Sequence, residues 1–169
     1  MKKIFSIVFI TMICMNTYAQ EETTETKNKV DNIFSLNFGA VSGEDLMSDL
    51  FTTNVRLDFT YLHYITDKVG VGASTGLVLA NENDSSDIKS DILNKFMTVA
   101  GAFRLYTDND KFYIGGEAGY AIGLDEGGFY YSPLLGVKIS SCSGVKVSYT
   151  NIKDTVVYSS INIGYEFTF

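Results

Sequence analysis

Tryptophan is absent from this chain, proline and histidine occur once each, and cysteine occurs twice. Each shortage removes a class of chemistry. A lone histidine and two scattered cysteines cannot supply a zinc site of the usual spacing. With Cys14 inside an amino-terminal apolar run, Cys142 is left as the one other thiol, so no internal disulfide framework can form. Positive charge is also short: 13 Lys and Arg face 20 Asp and Glu, a net charge of −7. That balance excludes nucleic acid as a partner, which demands a basic surface. Apolar runs are short as well. The longest, residues 4–15, falls below the roughly 20 residues a spanning helix requires. No glycine-rich nucleotide loop is present, and no cofactor or metal site is expected.

What remains is aromatic and glycine-rich: 12 Phe, 11 Tyr and 15 Gly, a composition suited to twisted, curved strands rather than helices. The chain opens with Lys2 and Lys3, runs apolar through residues 4–15, and reaches a small residue at Ala19 before Gln20. This resembles a secretory signal peptide cut after Ala19. Residues 1–19 are therefore expected to be removed, which makes the mature chain more acidic still. Residues 20–32, polar and without periodicity, read as a flexible periplasmic segment. The remainder, 33–169, reads as one domain.

That domain contains eight segments of period-two alternation, at about 33–42, 54–65, 69–80, 95–107, 112–123, 129–140, 145–151 and 157–169. In the second, Val55, Leu57, Phe59 and Tyr61 share a face opposite Arg56, Asp58 and Thr60. The last runs apolar on one face as far as Phe169, where a soluble terminus would fray. Breaks between segments alternate in length. Those after the second, fourth and sixth are short, whereas those after the first and third, at 43–53 and 81–94, are long. The break after the seventh, at 152–155, departs from the pattern by being short. Short periplasmic turns and longer outer loops describe an outer-membrane barrel. The expected fold is all-β, an eight-stranded antiparallel up-and-down transmembrane β-barrel.

On these features the chain resembles the small outer-membrane β-barrels of the OmpA/OmpX type. The resemblance implies a Gram-negative cell outer membrane as location, a monomer, and outer-membrane lipid and lipopolysaccharide as surroundings. It also implies that Tyr165, Phe167 and Phe169 form part of the signal read by the barrel-assembly machinery. With apolar alternation running to Phe169, the peptidoglycan-binding domain that some relatives carry is not expected. The likeness is specific for architecture and nearly silent on activity.

The face opposite the apolar one carries Arg56, Asp58, Arg104, Glu117, Lys138, Lys146 and Glu166. A charge on the lipid face is costly, so these belong in the lumen. They are expected to alternate in sign around the periplasmic half, with Arg104 near Glu117, and with Lys138 near Lys146 and Glu166. Such a network either plugs the barrel or lines a narrow polar path. An eight-stranded lumen has little spare volume, which favours the plug.

His63 shares the lipid-side face with Phe59 and Tyr61 and has no serine or acidic partner at a telling distance. It reads as a girdle residue beside Leu62 and Tyr64 rather than a catalytic base. Tyr64, Tyr106, Phe112, Tyr165, Phe167 and Phe169 are expected to form an aromatic girdle at the periplasmic rim. The outer loops are acidic, with Glu44, Asp45, Asp49, Glu82, Asp84, Asp87, Asp91, Asp125 and Glu126, and read as solvated surface. Cys142, in a tight turn, reads as a bystander thiol, with intermolecular pairing as the other reading. The function expected is non-catalytic, with a structural or surface-interaction role. The alternatives are a narrow pore for small solutes, an envelope enzyme acting on lipid through His63, and a secreted soluble barrel of lipocalin type that binds a ligand inside. The last would require apolar residues inside and charges outside.

Overall fold

A computed structural model describes residues 29–41, 51–82, 95–123, 127–153 and 157–169. They form eight strands: β1 (Val30–Val41), β2 (Phe51–Thr66), β3 (Val69–Glu82), β4 (Lys95–Tyr106), β5 (Phe112–Ile122), β6 (Gly128–Ser140), β7 (Ser143–Lys153) and β8 (Val157–Thr168). Each pairs antiparallel with its neighbours in sequence, and β1 pairs with β8, so the sheet closes on itself. Closure leaves no edge strand with unpaired backbone groups, the condition for a sheet in lipid.

Alternation decides which residues face in. Along β4 every second residue, Phe96, Thr98, Ala100, Ala102, Arg104 and Tyr106, is buried, and those between are exposed. The outward set is apolar. Val99 is 53 % exposed and Ile163 61 %, and Met97, Phe103, Ile114, Leu135 and Ile161 join them. Such a surface suits hydrocarbon and not water. The inward set carries the buried charges Arg56, Asp58, Arg104, Glu117, Lys146 and Glu166. Polar inside and apolar outside is the reverse of a soluble ligand-binding barrel, and the lipocalin-type alternative is overturned on that ground.

The first described residue, Lys29, and Phe169 lie on one rim, with the turns 67–68, 107–111 and 141–142. The strand ends Val41, Phe51, Glu82, Lys95, Ile122, Gly128, Lys153 and Val157 lie at the other. We call these the terminal rim and the loop rim. Gly123 and Gly127 bracket one loop-rim connection with φ of +106° and +81°, backbone conformations that a side chain would strain. On the terminal rim, the Lys68 ammonium in one turn donates to the Asp108 carboxylate in the next. That hydrogen bond raises the lysine's pKa and lowers the aspartate's, but both groups lie in water, and the pair contributes little.

Strand boundaries differ from the sequence reading by one to three residues; β2, for instance, begins at Phe51 rather than 54. The first strand begins at Val30, not residue 33, because Asp31 and Ile33 both point inward and Tyr64 donates its amide to the Lys29 carbonyl at 3.0 Å. The seventh spans Ser143–Lys153 rather than 145–151, carried outward by pairing with β8. Residues 1–28, and with them the expected signal peptide, lie outside the described residues.

Candidate functional site

Six of the seven charges expected in the lumen meet in one connected network. Arg56 on β2 donates through Nε to Asp58 Oδ1 at 2.5 Å and through Nη2 to Glu117 Oε2 on β5 at 2.8 Å. Asp58 faces Lys146 on β7, whose ammonium lies 3.4 Å from Oδ2 and 3.5 Å from Glu166 Oε1. Glu166 on β8 receives both Arg104 Nη atoms, at 3.0 and 2.7 Å, a two-point pairing. Hydroxyls and an amide complete it. Tyr130 donates to Glu117, Tyr113 donates to Glu166, Ser35 donates to Glu166 at 3.3 Å, and Asn37 donates to Asp58 at 2.9 Å.

The order Glu117, Arg56, Asp58, Lys146, Glu166, Arg104 alternates in sign without a break. Three cations thus meet three carboxylates where a single unpaired charge would be intolerable. The arginine planes also lie against rings: Arg56 Cζ sits 5.1 Å from the centre of Tyr130, and Arg104 Cζ 4.7 Å from that of Tyr113.

Apolar layers close the lumen above and below. Toward the loop rim, Val78, Ala80, Phe96, Ala100, Ala121, Tyr130, Ile152 and Tyr158 pack together, with Phe96 edge-on to Tyr158 at 5.2 Å. Toward the terminal rim, Tyr64, Tyr106, Tyr113 and Leu134 form a second cluster. The network therefore runs between the clusters, from Tyr130 to Tyr113, rather than around the periplasmic half alone. Glycine makes room for it. A Cβ at Gly136 would fall 2.2 Å from the Tyr113 hydroxyl, so only a bare backbone admits that ring.

The expected pairings need revision. Arg104 and Glu117 lie on neighbouring strands, but Arg104 reaches across the lumen to Glu166, and Glu117 takes Arg56 instead. Lys138 does not join the network. Its ammonium sits 4.5 Å over the Tyr106 ring near the terminal rim, a cation held by an aromatic face. Tyr64 and Tyr106 leave the predicted outer girdle, because their positions in the alternation point inward, where their rings stack at 5.7 Å. Phe112, Tyr165, Phe167 and Phe169 do face outward, with the Tyr165 and Phe167 rings 4.7 Å apart.

Sequence reasoning missed Asp31, placed in the flexible segment, and it assigned no role to the inward hydroxyls of Tyr113 and Tyr130. The signal for the tyrosines was available, since both sit on the face opposite the apolar residues. Asp31 accepts from Tyr64 at 2.6 Å inside the terminal rim. Replacing Tyr64 with Phe strips that buried carboxylate of a donor. The variant should lose about 1–3 kcal/mol of stability, readable as a lower urea midpoint for the folded barrel.

His63 points outward, beside Tyr61 and across from Val30 and Val71; its other expected neighbours, Leu62 and Tyr64, face in. Cys142 is a free thiol in the turn between β6 and β7, with its amide bonded to Ser140 Oγ at 3.3 Å. Of the acidic loop residues, Glu82 ends β3 and the others lie outside the described residues.

No protein-family model matches this chain, and no curated protein does. Solved structures do match. The outer membrane protein Ail of Yersinia pestis, in a phospholipid bilayer nanodisc, aligns with a TM-score of 0.58 at 16% identity, covering 83% of this chain and all of that one. A crystal structure of Ail, the attachment invasion locus protein, in complex with the heparin analogue sucrose octasulfate gives 0.51 at 14%, with 84% and 97% covered. Neisserial surface protein A gives 0.55 at 8%, with 84% and 99% covered. Identities this low carry the architecture and nothing finer. The fold of this chain is that of the small outer-membrane β-barrels, eight antiparallel strands closed into a transmembrane barrel.

Proposed function

We propose that this chain is an exported, non-catalytic barrel of the outer membrane that holds its loops at the cell surface for a structural or interaction role. The observation that carries the reading is the filled lumen. Every charged side chain of the network is 4 % exposed or less, and an aromatic or apolar cluster closes each end. A barrel so packed offers solutes no path and leaves its loops as the working surface. On this reading the terminal rim is periplasmic and the apolar band meets lipid and lipopolysaccharide. Tyr165, Phe167 and Phe169 would then be presented to the assembly machinery.

Charge narrows the kind of partner. One crystal structure of Ail holds a polysulfated sugar. This chain carries a net charge of −7, and the loop-rim connections are rich in Asp and Glu. A polyanion would be repelled at such a surface, whereas a cationic or neutral one would not. The pore remains as the second reading, favoured by the polar character of the lumen wall.

Planar bilayer recording of the purified chain decides between them. The plug predicts no resolvable single-channel current in the wild type. Steady current that disappears in neither high nor low salt would show a pore. Fractionation tests the location: the chain should remain with outer membranes through a carbonate wash, and release into the soluble fraction would end the membrane reading.

A further inference from the structure

The strand that opens the barrel and the strand that closes it carry the same pattern: Asn37-Phe38-Gly39 on β1 and Asn162-Ile163-Gly164 on β8. In both, the asparagine and the glycine face the lumen. The strands run antiparallel, and their register sets Asn37 opposite Gly164 and Gly39 opposite Asn162. Each asparagine thus faces a glycine, and a local twofold relation exchanges the two rungs.

The fit is close at both rungs. A Cβ at Gly164 would fall 1.9 Å from Asn37 Oδ1, and one at Gly39 would fall 2.0 Å from Asn162 Oδ1. Each oxygen therefore takes the space that any other residue would fill, and the glycine turns its inward hydrogen toward it, a weak Cα–H···O contact. Neither oxygen has a hydrogen-bond donor among the described residues. The nitrogens anchor the two amides from opposite sides. Asn37 Nδ2 donates to Asp58 Oδ2 at 2.9 Å and to the Arg56 carbonyl at 3.2 Å, both on β2. Asn162 Nδ2 donates to Thr150 Oγ1 on β7 at 3.3 Å and to Ser160 Oγ at 3.1 Å.

The closing seam lacks what the other seams have. Every other pairing joins strands that follow one another in the chain, and their connection limits sliding. β1 and β8 meet only when the ring closes. A one-residue slip there would turn lumenal residues toward lipid, so alternation forbids it. A two-residue slip keeps every face, and alternation is blind to it. Slipped one way, Asn37 would meet Asn162, two amides with no glycine to receive either. Slipped the other way, Gly39 would meet Gly164, and Asn37 would take the place of Ser35 beside Glu166.

We propose that the paired Asn-x-Gly segments are a register key, which selects the one stagger at which β8 closes on β1. Stagger around the ring sets strand tilt and barrel width. The key therefore also sets the width of the lumen across which Arg104 reaches Glu166.

Reordering the key without changing its composition tests this. In Asn162→Gly with Gly164→Asn, the native register would oppose two asparagines at one rung and two glycines at the other. The wild type refolded into nanodiscs should show by NMR a single set of backbone contacts across the seam, with Phe38 beside Ile163. The β8 variant should lose that single set and place Phe38 beside Ile161 or Tyr165. Adding Asn37→Gly and Gly39→Asn puts a glycine opposite an asparagine again at both rungs, and the Phe38–Ile163 set should return alone. Register is the readout rather than stability, because the moved amides no longer reach Asp58 and Thr150 as before. A β8 variant that keeps the native register alone would overturn the proposal, and so would a four-substitution variant whose register is not restored. Should the β8 variant not fold, recovery of the native register by the other two substitutions decides by itself.

Discussion

Arg56→Ala should destabilise the barrel by about 3–5 kcal/mol, because removing one member of a buried ionic set strands its partners. Arg56 is the residue through which Asp58, Glu117, Tyr130 and Thr150 are joined. Without it, the Glu117 carboxylate loses its cation, and Asp58 keeps Lys146 at 3.4 Å and the Asn37 amide at 2.9 Å. The measurement is the urea midpoint of refolded barrel, followed by the gel shift between folded and unfolded forms. A double variant, Arg56→Met with Glu117→Gln, should recover much of the loss, because it takes out a charge of each sign. Glu117→Ala separates plug from gate. A structural plug predicts a large loss of stability, whereas unchanged unfolding with a large rise in single-channel conductance would support a gate.

A second large effect is expected on the opposite face. Val99→Arg should cost about 2–4 kcal/mol in a bilayer, the depth-dependent cost of a cation on the lipid side of a barrel. Val99 stands midway along β4 among Met97, Phe103 and the cross-strand Tyr120, all outward. Compared with Thr98→Arg, which would collide with the filled lumen, the lipid-face variant keeps its backbone pairing and changes one thing, the medium around the side chain. The comparison to make is stability in a bilayer against stability in micelles of short-chain detergent, where water reaches the belt more easily. A protein whose outer face met water would tolerate Val99→Arg within experimental error in both, and that result would remove the transmembrane reading.

These two variants also mark how far the sequence could be read. Which residues face in was legible, because lipid outside and a narrow space inside impose opposite demands on alternate residues. Arg56, Arg104, Glu117 and Lys146 obey that rule without exception. Lys146 does lie beside Glu166 as their neighbouring strands suggested, but which charges pair across the lumen was not legible. Arg104 meets Glu166 from β4 to β8, and Arg56 meets Glu117 from β2 to β5, contacts across the diameter that depend on strand tilt and stagger. Spacing along the chain reveals only neighbours on adjacent strands, and there Arg104 and Glu117 looked like partners. Lys138 and Tyr106 were misplaced for a related reason. Near a strand end, a long side chain can turn toward the rim, and an inward tyrosine has the same composition as a girdle tyrosine.

Glu166 has a consequence for the order in which the molecule is made. Its carboxylate is held from β1 by Ser35, from β4 by Arg104, from β5 by Tyr113 and from β7 by Lys146. No partial barrel contains all of these, since Ser35 arrives only when β1 meets β8, a contact spanning 131 positions of chain. Contacts so distant in sequence form late, after the loop-closure entropy has been overcome. The network thus acts as a latch on the finished ring rather than a template for it. Interactions that form after the transition state slow unfolding far more than they speed folding. Variants of the lumenal charges are therefore expected to shorten the lifetime of the folded barrel more than they slow its formation.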